Sequence, residues 1–170
     1  MDEPDRRPVT PLGVPDRAAD TAFWRRFLEA TGADDGARPV PPSWCFGDSV
    51  ELADELIELV LHGPKRATAG AVAEYDADGE PIPEVGDRWI VTDGSMRPRV
   101  VLETTEVRVG PLSSVDDRFA WDEGEGDRTR DSWLEAHTRY FRRSFARLGL
   151  EFHPDVEVVF ERFAVRYQED

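Results

Sequence analysis

Apolar residues recur at the spacing of an α-helix in three segments of the chain. The pattern predicts helices over residues 16–31, 48–62 and 129–148, because each segment places its apolar side chains along one face. The apolar side of the third helix is formed by Trp133, Leu134, His137, Phe141, Phe145 and Leu148.

Local residues mark the ends of the first two helices. Gly32 follows the first helix and Gly63-Pro64 follows the second, as is common where helices stop. Asp48 is the predicted N-cap of the second helix, and Glu51 completes a capping-box pattern three residues later.

Strand patterns alternate with these helices in the second half of the chain. Residues 67–75, 88–92, 99–109 and 157–167 are predicted strands, and Asp93-Gly94 marks a hairpin between the second and third of them. Strands with helices inserted between them predict an α+β fold built on a curved sheet or a small barrel.

Length and composition favour one soluble domain. The chain has 170 residues, of which 39% are apolar. Residues 1–15, which hold four prolines, are expected to be a flexible tail, and residues 16–170 a single domain. No apolar run approaches the length of a membrane span, and the acidic N-terminus is unlike a signal peptide. The single cysteine, Cys45, fits a reducing cytoplasm and is expected in the core between two aromatic residues.

The net charge of −15 limits the partners. Duplex binding depends on lysine and arginine neutralising phosphates, so avid contact with duplex DNA is not expected. A small molecule, or single-stranded RNA held locally, remains compatible with this charge. The arginine-bearing side of the helix at 129–148 has two interpretations, a solvated face or a phosphate-binding face.

A lysine and a hydroxyl lie three residues apart at the turn after the second helix. Lys65 and Thr68 follow Gly63-Pro64, where the chain changes from helix to strand. A lysine desolvated in a cleft can serve as a base, and a threonine hydroxyl needs such a neighbour to become nucleophilic. The alternative is purely structural: Lys65 is a surface lysine and Thr68 a strand residue.

Glu103 is the third candidate. Alternation in residues 101–107 puts its carboxylate on the same face as Val101, Thr105 and Val107. A carboxylate on an apolar face must find a partner or shift its pKa, and Lys65 would be a suitable partner. Glu103 could then orient the lysine or activate water, or it could be only an ion-pair partner.

The acidic segment at residues 119–127 is a weaker candidate. Its alternating acids and glycines could bind a hard cation, but it lacks the twelve-residue pattern of an EF-hand, so a loop rim that shapes a pocket is favoured. His137 lies on an apolar helix face and is expected in the core. With neither a zinc pattern nor a phosphate-cradling glycine loop, the sequence implies no metal and no cofactor.

The order of these short motifs resembles ASCH-domain proteins, and most closely their bacterial YhfF-like branch, over about residues 40–168. The resemblance implies a PUA-like β-barrel flanked by helices, with a cleft beside the helix-to-strand turn. It is carried by Trp44-x-Phe46-Gly47-Asp48, Gly63-x-Lys65-x-Ala67-Thr68, Val85-Gly86-Asp87, Leu102-Glu103-Thr104-Thr105-Glu106-Val107, Phe119-Ala120-x-x-Glu123-Gly124-Glu125-Gly126-Asp127 and Glu161-Arg162-Phe163.

The same resemblance implies a function. ASCH proteins are associated with RNA-related roles. A smaller relative deacetylates N4-acetylcytidine with a lysine, a threonine and a glutamate, and another is described as a ribonuclease. Lys65 and Thr68 match the lysine-x-x-threonine element, and Glu103 matches the glutamate by its position on a strand.

The resulting hypothesis is a hydrolase that removes an acyl group from a modified nucleoside or a similar small molecule. Lys65 would be the base, Thr68 the nucleophile and Glu103 the water activator, while Trp44, Phe46 and Arg66 would line the pocket. Aromatic faces suit a flat base. The alternatives are an RNA- or nucleotide-binding module without catalysis, a ribonuclease, and a protein-interaction domain. The sequence leaves the oligomeric state open.

Overall fold

A computed structural model describes residues 10, 12–34 and 38–169. The fold is α+β, as predicted, with five α-helices and five strands among these residues. The elements, in chain order, are α1 Arg17–Thr31, β1 Ser43–Trp44, α2 Val50–Leu61, β2 Ala67–Ala71, α3 Val72–Asp78, β3 Arg88–Thr92, β4 Pro98–Pro111, a 3₁₀ turn Leu112–Ser114, α4 Asp117–Glu123, α5 Arg130–Leu148 and β5 Glu157–Gln168.

The N-terminal tail predicted over residues 1–15 falls mostly outside the described residues. Its described part includes Thr10, whose hydroxyl donates to Glu51 Oε1 at 2.5 Å. The first helix has the predicted boundaries: Asp16 caps its start, and Gly32 ends it with a φ of 64°.

Two local predictions are wrong. The N-cap of α2 is Ser49, whose hydroxyl accepts from the Leu52 amide, whereas the Asp48 carboxylate forms ion pairs with Arg143 and Arg147. The strand predicted over residues 67–75 ends at Ala71, and α3 follows it directly. The Glu74 carboxylate accepts from the Ala71 amide, and this contact stabilises the first turn of α3.

The sheet is mixed and has the strand order β1-β3-β4-β5-β2. In the part of the chain that the structure describes, β1 and β3 are the one parallel pair, and irregularities in register interrupt the long β4–β5 ladder. Among the described residues no pairing joins the edge strands β1 and β2, so the sheet does not close into the complete β-barrel that the family resemblance implied, and the alternative of a curved sheet remains.

Helices cover both faces of the sheet. Phe23 and Phe27 of α1 pack with Val101 on one face, which we call the α1 face. On the other, the α2 face, Ile57 of α2 packs with Leu102 of β4. Successive residues of β4 therefore enter different cores, and a residue's position along the strand decides which helix it meets.

Candidate active site

Lys65 is buried at the turn between α2 and β2. Its side chain is 1% exposed, and its Nζ lies 2.5 Å from Glu125 Oε1 and 3.8 Å from Glu123 Oε1. Of the 21 lysine and arginine residues in the chain, Lys65 is the only lysine. A lysine amine can release its proton in a protein, whereas an arginine guanidinium cannot. Lys65 therefore carries the one basic side chain of this kind in the sequence, and it lies between two carboxylates.

The acidic segment reaches Lys65 because a glycine lets two loops touch. Gly124 has a φ of 74°, and a Cβ placed on it would lie 2.8 Å from the Lys65 backbone nitrogen. The Arg66 amide also donates to the Asp122 carbonyl at 2.7 Å. Any larger residue at position 124 would be strained and would separate these loops.

Glu123 is the centre of a buried polar cluster. Its carboxylate accepts from the Trp133 indole and lies 3.3 Å from His137 Nε2. Burial opposes the ionisation of Glu123, but His137 and Lys65 outweigh it and lower the Glu123 pKa. Burial likewise opposes the charging of His137, but the Glu123 carboxylate outweighs it and raises the His137 pKa. The predicted core position of His137 is confirmed by its 9% exposure.

A cavity of about 500 Å³ opens beside this cluster. Thr68, Glu123 and Glu125 line it, and the Lys65 ammonium lies behind its wall, 5.1 Å from the Phe46 ring centroid. A volume of this size suits a small organic molecule. Its aromatic lining residues are Trp44, Phe46, Tyr75, Trp89, His137 and Tyr140.

Glu161 is a second buried carboxyl group in the same cavity, and sequence reasoning gave it no role. It is 5% exposed, and its Oε1 accepts from the Thr104 hydroxyl at 2.5 Å. It forms no ion pair with any residue in the described part of the chain. Burial raises the Glu161 pKa, Asp87 adds to the rise, and the Thr104 hydrogen bond opposes it.

The predicted contact between Glu103 and Lys65 is wrong. Glu103 lies on the α1 face, where its carboxylate contacts Arg88 at 3.0 Å and Arg166 at 2.7 Å. The hydrogen bond from Arg166, supported by Arg88, lowers the Glu103 pKa. Glu103 lines a separate cleft with Trp24 and Arg88.

Two of the three predicted pocket residues line the cavity, and the third does not. Trp44 and Phe46 line the cavity, with ring centroids 4.7 Å apart. Arg66 does not line it, because its guanidinium bonds to the backbone carbonyls of Lys65 and Val60. Cys45 also lines the cavity, and burial raises its pKa to about 11, which disfavours a reactive thiolate.

The residues that were missed carried a signal in the sequence. Glu161 alternates with Val159 and Phe163, so it is a carboxylate among apolar residues on one strand face, which is the same signal that singled out Glu103. Glu123 and Glu125 lie in the acidic segment that was predicted to form a pocket rim. Within the described residues no group of three or more histidine, cysteine or acidic side chains could hold a metal ion, and no helix is long and apolar enough to cross a membrane.

Comparisons with known proteins identify the family. The family model described as "ASCH domain" matches residues 42–167. A crystal structure of an Enterococcus faecalis V583 protein is 34% identical, with 87% of this chain and 88% of that chain covered and a TM-score of 0.78. The crystal structure of an ASCH domain from Lactobacillus crispatus JV V101 is 30% identical, with 89% and 96% covered and a TM-score of 0.78. No curated protein sequence matches this chain. The chain belongs to the ASCH-domain family.

Proposed function

We propose that this protein is a hydrolase that cleaves an acyl amide on a planar, nucleoside-like small molecule. The observation that carries the proposal is the burial of the chain's only lysine between two carboxylates, behind the wall of a cavity lined by a threonine hydroxyl. A lysine amine near a hydroxyl can be the base that such a weak nucleophile needs, and Lys65 and Thr68 lie three residues apart at the start of β2.

The chemistry follows from these groups. The Lys65 Nζ donates a hydrogen bond to Glu125 Oε1, and the proposed reaction uses the neutral amine of Lys65. That amine accepts the hydroxyl proton of Thr68, and the hydroxyl oxygen attacks the acyl carbon. Water then hydrolyses the acyl-threonine. Glu123 holds the amine in place from its other side.

Size, shape and charge support the substrate class. A cavity of about 500 Å³ with aromatic walls accommodates a flat heterocycle and a short acyl chain. The net charge of −15 opposes the approach of a long polyanion. A free modified nucleoside fits both conditions better than duplex nucleic acid.

The test is turnover of a panel of acylated nucleosides, including N4-acetylcytidine, followed by mass spectrometry. We expect one member of the panel to be deacylated. Lys65→Arg keeps the charge but removes the releasable proton, so it should lose turnover, as Lys65→Met should. Thr21→Val is the control for Thr68→Val, because the Thr21 hydroxyl bonds only within α1 in the described structure. Full activity of Lys65→Arg would contradict the role of Lys65 as a base.

A second candidate function is recognition of a base in RNA without catalysis. The aromatic lining supports it, as do Arg139 and Arg143, which line the cavity. Both arginines also contact an acid, Glu135 for Arg139 and Asp48 for Arg143, so they are only partly available for phosphate. Salt-dependent binding of a short single-stranded RNA, with no turnover of any acylated nucleoside, would favour this function.

A further inference from the structure

We propose that Glu161 is the acid–base residue of the cavity and gives its proton to the departing nitrogen when the acyl group moves to Thr68. The inference rests on the proposed function and assigns a role to a buried carboxyl group that lies outside the Lys65 cluster and to which the family resemblance gave no role. It is carried by the strand register, the partners of the carboxyl group and the cavity that the group lines.

The strand register places Glu161 beside Thr68. The two residues are direct partners in the antiparallel pair of β2 and β5. Side chains of such partners point to the same face, with Cβ atoms about 4.5–5.5 Å apart. Both residues line the cavity. An amide whose carbonyl carbon meets the Thr68 hydroxyl therefore has its nitrogen within reach of the Glu161 carboxyl group.

A chain of two hydrogen bonds fixes the orientation of the carboxyl group. The Trp89 indole donates to the Thr104 hydroxyl at 3.2 Å, and that hydroxyl donates to Glu161 Oε1. Because Oε1 already accepts a hydrogen bond, the proton of the neutral acid belongs on Oε2. Among the described residues Oε2 has no hydrogen-bond partner, so its proton is free for a substrate.

The surroundings favour the neutral acid. No cation pairs with Glu161 in the described structure, and burial raises its pKa. Asp87, at the start of β3, raises it further, and the Tyr75 side chain of α3 lies close enough to be affected by it. The other titratable groups that line the cavity come from several parts of the chain. The acids are Glu74, Asp78, Glu80, Glu123 and Glu125. The remaining groups are Cys45 and, from α5, His137, Arg139, Tyr140 and Arg143.

The step balances without a further reagent. The Thr68 oxygen forms a bond to the acyl carbon while the carbon–nitrogen bond breaks, the Thr68 proton passes to Lys65, and the Glu161 proton passes to nitrogen. In the second half-reaction the Glu161 carboxylate takes a proton from water, whose oxygen attacks the acyl-threonine. The Thr68 oxygen leaves and recovers its proton from Lys65. Thr68, Lys65 and Glu161 thereby return to their starting protonation states.

The experiment compares two leaving groups in the full-length protein. An alkyl or nucleoside amide needs a proton on its nitrogen, whereas the nitrophenolate of a 4-nitrophenyl ester leaves without one. We expect Glu161→Gln to lose about 10²-fold in the single-turnover rate of amine release from the amide and to keep the single-turnover rate of nitrophenolate release from the ester, because both measurements report the first half-reaction only. Thr68→Val should lose both activities. Glu106→Gln is the matched control, because Glu106 is exposed and pairs with Arg162 outside the cavity.

A second variant guards against a folding defect in Glu161→Gln. Thr104→Val leaves Glu161 in place and removes the hydrogen bond that lowers its pKa. The pH at which single-turnover amine release from the amide falls, as Glu161 loses its proton, should therefore move upward, while the single-turnover release of nitrophenolate from the ester stays unchanged. A merely structural role of Thr104 would slow both substrates alike and leave the pH profile in place.

The outcomes separate the two proposals. Equal effects of Glu161→Gln on amide and ester, or no effect on either, overturn the role of Glu161 while Thr68→Val still tests the nucleophile. A wild-type protein that cleaves neither substrate, or a Thr68→Val variant as active as wild type, overturns the proposed function and the role of Glu161 with it. Selective loss of amide cleavage supports both.

Discussion

Glu103 and Glu161 lie on neighbouring strands of one sheet, and their side chains have opposite surroundings. Glu103 points to the α1 face and contacts two arginines, which lower its pKa. Glu161 points to the α2 face, contacts a threonine hydroxyl and has a raised pKa. The difference shows that an acid in a strand becomes a salt-bridge partner or a titratable acid according to its neighbours on the next strand.

The energetic cost of the two arrangements differs too. The Glu103 carboxylate is partly exposed to solvent, and Arg88 and Arg166 neutralise its charge. These ion pairs are enough to explain why a glutamate is tolerated at this position. A buried carboxyl group without a cation opposes folding unless it stays protonated. A buried carboxyl group that lines a cavity and has a raised pKa is a candidate for function, and this agrees with the role proposed for Glu161.

The largest effect is expected from the buried cluster on the cavity side. Glu123→Gln removes the charge that compensates His137 and one of the two carboxylates beside Lys65. It should lower the free energy of unfolding by about 3 kcal/mol, the lower end for a broken buried pair, because Lys65 keeps Glu125. Glu103→Gln should cost about 1 kcal/mol or less. Urea denaturation measures both values, and equal losses would mean that the two faces do not differ as described.

Turnover should separate the faces as well. Thr68→Val and Lys65→Met should each lower the single-turnover rate roughly 10²-fold or more, because they remove the nucleophile and the base. Glu103→Gln should leave the rate unchanged, since its carboxylate lies in another cleft. Loss of activity in Glu103→Gln, with an intact thermal melt, would restore the catalytic role that the sequence pattern suggested.

Much of the fold was predictable from periodicity. The extents of α1 and α5 and the C-terminal end of α2 follow from their apolar stripes and from the glycines after them, and β3 has the predicted boundaries. The error at residues 72–75 has a physical reason: small residues such as Ala71 and Ala73 are compatible with either state, and the Glu74 carboxylate decides for a helix. The two-residue strand β1 is too short to leave a pattern.

The site was predictable only in part, because its contacts join distant segments. Lys65 and the acidic segment were both singled out, but their meeting depends on Gly124 packing against the Lys65 backbone. Glu103 was placed on the cavity side because alternation was interpreted as one apolar face and one solvated face. With helices on both faces, Val101 and Leu102 are both buried, and alternation alone does not say which face holds the cavity.

The smallest predicted effect is the most direct measure of the contrast between Glu103 and Glu161. A group whose folded pKa is lowered stabilises the protein above its unfolded pKa and loses that contribution as the pH falls through the folded value. The advantage of wild type over Glu103→Gln, about 1 kcal/mol or less at neutral pH, should therefore shrink on acidification. A group whose folded pKa is raised behaves in the opposite way. Wild type should lose stability relative to Glu161→Gln as the pH rises above about 4, the unfolded value for glutamate.

Urea denaturation of wild type and the two glutamine variants between acidic and neutral pH tests these signs. The two difference curves should slope in opposite directions, because glutamine does not ionise and the pH dependence of each difference therefore comes from the glutamate of wild type. Parallel curves would show that Glu161 ionises like Glu103. A hidden cation would then have to accompany Glu161, and its carboxylate could not act as the proton donor of the cavity. Opposite slopes would confirm that one sheet holds a compensated carboxylate on one face and a protonated acid on the other.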